Sequence, residues 1–234
     1  TLATRTLAAA SVRVANVASS EPTRLPDSLE LPLPVEVEQL TVGRIESGDH
    51  AHPDGQAVTI AEALAAQVSS DGLQHRLPEL RARIGGLSVL ADAVLAAKKP
   101  FALTAKAAVE GDAGGRVLAF DLVADGRLDE FTLAGSARAV AAKTGESFAG
   151  ELAARITPFA AQPFLDAVIK LSAIDPAAWL DGAPQASLDL RADLQPLGDS
   201  STGLSGRLTV VNRQPGTIDR QRLPVESLQA GLSL

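Results

Sequence analysis

Between residues 185 and 194 apolar and polar side chains alternate without a break. Ala186, Leu188, Leu190, Ala192 and Leu194 fall on one side, and Ser187, Asp189, Arg191 and Asp193 on the other. A strand repeats every two residues, so this pattern predicts a strand dry on one face and wet on the other. The alternation recurs along the chain. FALTAKAAV (101–109) aligns Phe101 and Leu103 with Ala105, Ala107 and Val109. VLAFDLVA (117–124) aligns Leu118, Phe120 and Leu122, and GLSGRLTV (203–210) aligns Leu204, Leu208 and Val210. Turn signals separate these runs: Asp54-Gly55, Asp71-Gly72, EGDAGG at 110–115, Asp125-Gly126, Asp181-Gly182 and QPG at 214–216. Asp-Gly tolerates the positive φ of hairpin turns, and the spacing accommodates roughly a dozen strands.

In LPLPVEVEQLTVGRI (31–45), Val35 and Val37 alternate in one phase and Leu40 and Val42 in the other. A bulge at Glu38-Gln39 reconciles them, because one extra residue flips the phase and bends the strand. That stretch looks related to HRLPELRARIGG (75–86), GRLDEFTLAGSA (126–137) and QRLPVESLQAGLS (221–233), which share Arg-Leu, a short kinked stretch, an alternating run and a glycine. Strands bent at a repeated place make a curved sheet. A helical reading competes in SVLADAVLAAK (88–98) and AEALAAQV (61–68), both rich in alanine. One short helix is expected near 175–181, where Asp175 can cap, Pro176 suits the first turn and Gly182 the exit. The organisation expected is a first strand within 1–17, a Pro-rich extended connector over 18–34, and a continuous repeat-like β segment over 35–234.

Composition narrows what such a sheet can do. The 234 residues are 46% hydrophobic but only 3% aromatic, with one Trp and no Tyr, so the apolar surface is aliphatic and has few stacking platforms. A net charge of −7 argues against nucleic acid, which needs clustered Lys and Arg. The absence of cysteine excludes disulfides and thiolate metal sites. No apolar run reaches the ~20 residues that span a bilayer as a helix. The chain opens at Thr1, lacks Met and stops within an alternating run, which reads as a piece of a longer protein.

Candidate chemistry is sparse. His50 and His52 could ligate a metal, but they sit in the turn GDHAHPDG without an obvious third ligand, and His75 reads as a surface residue. No nucleophile elbow, Walker loop or dinucleotide fingerprint occurs, and the acidic residues are spread along polar strand faces, so neither enzyme activity nor a cofactor is expected. Trp179 reads as an anchor for the short helix, while Arg213, Arg220 and Arg222 form a loop cluster that could either be solvated or meet anionic headgroups.

Four segments taken in order carry a resemblance: LPDSLELPLPVEVEQLTVGRIE (25–46), QVSSDGLQHRLPELRARI (67–84), ITPFAAQPFLDAVIKLSAIDPAAWLDGAPQASLDLRADL (156–194) and GLSGRLTVVNRQPGTIDRQRLPVESLQAG (203–231). Together they resemble the TamB family, the inner-membrane subunit of the translocation and assembly module, a relative of AsmA-like and bridge-type lipid transfer proteins. The resemblance implies a mostly β, elongated, U-shaped sheet (a β-taco) with an apolar concave face. It also implies a periplasmic location in an inner-membrane-anchored protein, phospholipid transport between membranes, and outer-membrane protein assembly with the barrel partner TamA. Phospholipid acyl chains would then lie on Phe101, Leu103, Leu118, Phe120, Leu122, Leu188, Leu190, Leu194, Leu204, Leu208 and Val210. Two alternatives remain at this point: a scaffold that pairs by strand addition with a barrel partner or its clients, and a closed β-solenoid passenger domain without ligand.

Overall fold

A computed structural model of the chain describes residues 2–16, 24–49, 58–112, 116–141, 145, 147–160, 162–180, 182–198 and 203–233. Thirteen strands follow one another: β1 (Leu2–Asn16), β2 (Val35–Asp49), β3 (Val58–Ser70), β4 (Gln74–Ile84), β5 (Leu87–Ala96), β6 (Ala102–Asp112), β7 (Arg116–Arg127), β8 (Glu130–Ala141), β9 (Ser147–Ile156), β10 (Phe164–Ile174), β11 (Leu188–Pro196), β12 (Leu204–Asn212) and β13 (Ser227–Ser233). They form a single mixed sheet whose spatial order is the sequence order, and it does not close into a barrel. The pair β1–β2 is parallel, and β2 through β6 and β8 through β13 pair antiparallel. Among the described residues the only helical pieces are α1 (Pro176–Trp179) and a 3-10 turn at Ile218–Arg220. The expected mostly-β class with one short helix is therefore the class observed.

The expected helix caps as its residues suggest. Asp175 accepts the Ala177 N–H at 3.1 Å, Pro176 opens the first turn, and Gly182 takes a positive φ beyond the exit. The two alanine-rich segments are strands β3 and β5. Each has a hydrogen-bonded neighbour on both sides, and ladder pairing overrides the helix propensity of alanine.

The bulge at Glu38-Gln39 is present, since the β2–β3 register steps between Val37 and Leu40. Equivalent steps occur between Leu77 and Leu80 in β4 and between Leu171 and Ile174 in β10. Glu79 and Ala173 sit there at φ 49° and 59°, a left-handed conformation that non-glycine residues adopt only at some cost. Each has its freed N–H bonded to a carboxylate on the next strand: Glu79 N–H to Asp92 Oδ1 at 3.0 Å, and Ala173 N–H to Asp189 Oδ1 at 3.2 Å. The Arg-Leu repeat read from the sequence is not the structural repeat. HRLPELRARI is the bulged strand β4, GRLDEFTLAGSA turns from β7 into β8, and QRLPVESLQAGLS enters β13 from a loop. What recurs is the bulge with its aspartate.

Two compact units divide the chain, Thr1–Gly111 with Ala124–Leu128, and Asp112–Val123 with Asp129–Leu234. Neither contains a deep core. Among the described residues nine apolar side chains are buried, six of them alanines, and Phe101 is the one large side chain fully enclosed.

Asp189 shows how the polar face is used. Besides the Ala173 N–H it accepts a bond from Arg213 Nε at 2.7 Å. The Arg213 bond, followed by the Ala173 N–H, holds its carboxyl below the usual carboxylate range. A depressed folded pKa contributes stability above the unfolded value of about 3.9, and that contribution is lost as pH falls through the lower folded value. Asp189→Asn should therefore lower the melting temperature at pH 7 and flatten its decline under acid. A variant curve parallel to wild type from pH 7 to pH 2 would contradict this role.

Candidate functional site: an uncovered apolar face

Cross-strand registers in the second unit assemble the sequence alternation into rows. Ala137, Gly150, Leu171, Leu190, Val210 and Leu228 stand side by side from β8 to β13. The next row is Gly135, Leu152, Ile169, Ala192, Leu208 and Ala230, and the third runs from Leu133 through Ala154, Ala167, Leu194 and Gly206 to Leu232. None of these positions carries a polar side-chain atom. The opposite face is different: its central row is Ser136, Glu151, Lys170, Arg191, Thr209 and Gln229. Lys170 pairs with Glu151 at 3.2 Å and Arg191 with Asp193 at 2.6 Å.

Glycines let leucines lie flat on the apolar face. A Cβ at Gly150 would meet Leu171 Cδ2 at 3.0 Å, one at Gly206 would meet Leu194 Cδ2 at 2.9 Å, and one at Gly135 would meet Leu122 Cδ2 at 2.6 Å. The leucines cover the backbone of the neighbouring strand, and Ala154 between them is buried, while Ala137, Ala167, Ala192 and Ala230 are half-buried. The larger side chains remain half-buried, and Leu228 on the last strand is exposed, because each is covered only by its neighbours in the face.

The face offers no polar anchor. Three polar residues are buried among the described ones, Ser70, Thr157 and Asn212, and each holds an irregular segment. Thr157 Oγ1 donates to the Gln162 carbonyl at 2.7 Å. Asn212, in register with Leu188, donates to the Leu223 and Val225 carbonyls at 3.1 and 3.0 Å and accepts the Ser187 and Gln214 N–H groups. It thereby fixes the segment after β12 at the end of the apolar face. Among the described residues no buried side-chain polar atom lacks a partner.

In the first unit, Leu103 pairs with Leu95 and continues a face that includes Ala105, Ala107 and Val109 opposite Ala93, Ala91 and Val89. His75 belongs to this same face, because it too is in register with Leu95. It was read as a surface residue, but the bulge at Glu79 reverses the phase of the strand between HRL and LRARI. The ring bridges Ser70 Oγ and the Leu29 carbonyl, each at 2.9 Å.

Ten of the eleven expected lining residues occupy strand positions of this alternation, half-buried: Leu103, then Leu118, Phe120 and Leu122 in β7, Leu188, Leu190 and Leu194 in β11, and Leu204, Leu208 and Val210 in β12. Phe101 departs from the expectation. It precedes β6 at φ 54°, its carbonyl accepts the Leu128 N–H at 3.0 Å, and its side chain is fully enclosed. Sequence reasoning counted it into the strand because the alternation runs through it.

His50 and His52 lie outside the described residues, as does the side chain of Trp179. Among the described residues no group of three or more His, Cys, Asp or Glu could hold a metal, and no helix is long and apolar enough to cross a membrane. Of the arginine cluster, Arg213 is tied to Asp189, while Arg220 and Arg222 are exposed. No family model matches the chain, and neither does any curated protein or solved structure.

Packing of leucine over glycine predicts a contrast between two glycines. Gly206→Val should cost about 2 kcal/mol, because its Cβ would also press into the Asp193 carbonyl oxygen. Gly231→Ala, with nothing within 4 Å, should leave stability nearly unchanged. Denaturant titration checks both, and equal midpoints for the two variants would contradict the packing.

Proposed function

We propose that the apolar face binds lipid acyl chains, and that the chain is part of a TamB-like envelope protein giving phospholipid a hydrophobic path between inner and outer membranes. The observation that carries this reading is the block of adjacent rows from β8 to β13, without a polar side-chain atom, on a sheet that has no second layer among the described residues. An acyl chain leaving water gains about 0.8 kcal/mol per methylene, so about 15 methylenes contribute on the order of 12 kcal/mol. A surface of uniform aliphatic groups offers similar energy at successive positions and so permits sliding, whereas fixed polar anchors would hold one molecule in place.

The resemblance to the TamB family supports the same reading, with a periplasmic location and TamA as the outer-membrane partner of the whole protein. A coiled solenoid fits less well, since its strands stack in parallel and this sheet is largely antiparallel.

Leu190→Asp tests the conduit. It places a charge in the middle of the apolar block while leaving the backbone ladder intact. Bound phospholipid should fall at least several-fold, and the half-buried position should limit the loss of stability to about 2 kcal/mol. The control is Gln195→Glu on the opposite face, which should change neither. A closed core would behave in the opposite way: Leu190→Asp would unfold the domain, and wild-type protein would carry no lipid.

A further inference from the structure

Residues 24–34 lead into β2 by a route that runs past the ends of β5, β4 and β3. The Leu29 N–H donates to the Ala97 carbonyl at 2.9 Å, and the Leu31 N–H to the Gly72 carbonyl at 3.3 Å. Lys99 meets Asp27 at 3.0 Å and Lys98 meets Glu30 at 3.1 Å, so the segment reaches from the β5–β6 connection to the β3–β4 hairpin before entering β2. Its side of the sheet is given by His75. That ring projects from the apolar face and donates from Nε2 to the Leu29 carbonyl. In the neutral ring Nδ1 is left to accept the Ser70 hydroxyl, whose oxygen in turn accepts the Gly72 N–H at 3.0 Å.

The connector therefore lies over the end of the apolar face, with Leu25, Pro26 and Leu29 half-buried and Leu31 and Leu33 exposed. Its attachment is slight for a segment in this position. The Leu29 and Leu31 main-chain bonds, a third from the Leu2 N–H to the Pro34 carbonyl at 2.7 Å where the segment enters β2, one histidine latch and two solvent-exposed ion pairs hold it, and exposed ion pairs contribute little. A leucine of this strap and a lipid methylene would compete for the same kind of contact.

We propose that segment 24–34 is a built-in competitor for the apolar face of the first unit: a strap latched by His75 and Ser70 that must lift before an acyl chain can extend to the strand ends. This rests on the lipid-binding reading above and adds its regulation. Removing the latch should favour the open strap by about tenfold, the effect of losing one or two hydrogen bonds.

The test combines loading of a fluorescent long-chain fatty acid with hydrogen exchange on the whole chain, for wild type, His75→Ala, Ser70→Ala and the pair Lys98→Ala with Lys99→Ala. In the His75 and Ser70 variants the Leu29 and Leu31 amides should exchange faster and the probe should load more readily, while the β4–β5 amides stay protected, which separates strap release from unfolding. In wild type, loading the probe should itself speed exchange at Leu29 and Leu31. Should the latch variant lose β4–β5 protection, the lysine pair, which loosens the strap without touching the sheet, decides by the same readout. Probe binding that leaves Leu29 and Leu31 exchange unchanged overturns the strap alone. Failure of every variant to load the probe overturns the lipid reading together with it.

Discussion

A sheet has two faces, and in this chain only one of them is built for water. From β8 to β13 the charged and hydroxyl side chains all occupy one side, the other is aliphatic apart from its ends, and no helix or second sheet among the described residues lies over that apolar side. Ordinary domains resolve this by packing layers together. Here the apolar side chains shield one another laterally, which buries small residues such as Gly150 and Ala154 but leaves the leucines at best half-covered. Much of the hydrophobic stabilisation available to this composition is thus not realised among the described residues.

The polar residues follow from the same constraint. A buried polar group must be bonded, and an open aliphatic face gives it no partner. Buried polar side chains accordingly stand at the ends of the apolar side, where they can bond the main chain of an adjoining segment. Ser70 with His75 does this in the first unit, and Asn212 does it in the second. On the wet side, Asp92 and Asp189 satisfy the N–H groups that bulges release, so a polar side chain stabilises a bend at two separate places in the sheet.

Much of this was legible in the sequence because a period of two is so restrictive. The strand at 185–194 could hide one side of itself only in one way, and the clash of phases between Val37 and Leu40 located a bulge to the residue. What escaped notice has definite causes. His75 was assigned to the wrong face because nothing in HRLPELRARI marks the phase reversal at Glu79, whose left-handed backbone is unusual for glutamate. Asp189 looked like any solvated carboxylate, since a bond to an N–H on the preceding strand leaves no trace in local spacing. Phe101 continued an alternation whose strand had not yet begun. The connector reads as extended from its prolines, but the path of residues 24–34 over the end of the apolar face depends on partners at Gly72, His75 and Ala97, far away in sequence.

The central claim, that one face of the sheet meets lipid and the other meets water, is tested most directly along the strand that displays it best. A photo-crosslinking amino acid can be placed in turn at Leu188, Leu190, Ala192 and Leu194, and at Arg191, Asp193 and Gln195, in protein isolated without detergent or loaded with phospholipid vesicles. Mass spectrometry of the irradiated chains then reads lipid adducts position by position. The account predicts adducts at the first set and none at the second, a period of two in the chemistry that matches the period in the sequence. Adducts on both faces alike, or on neither, would contradict it.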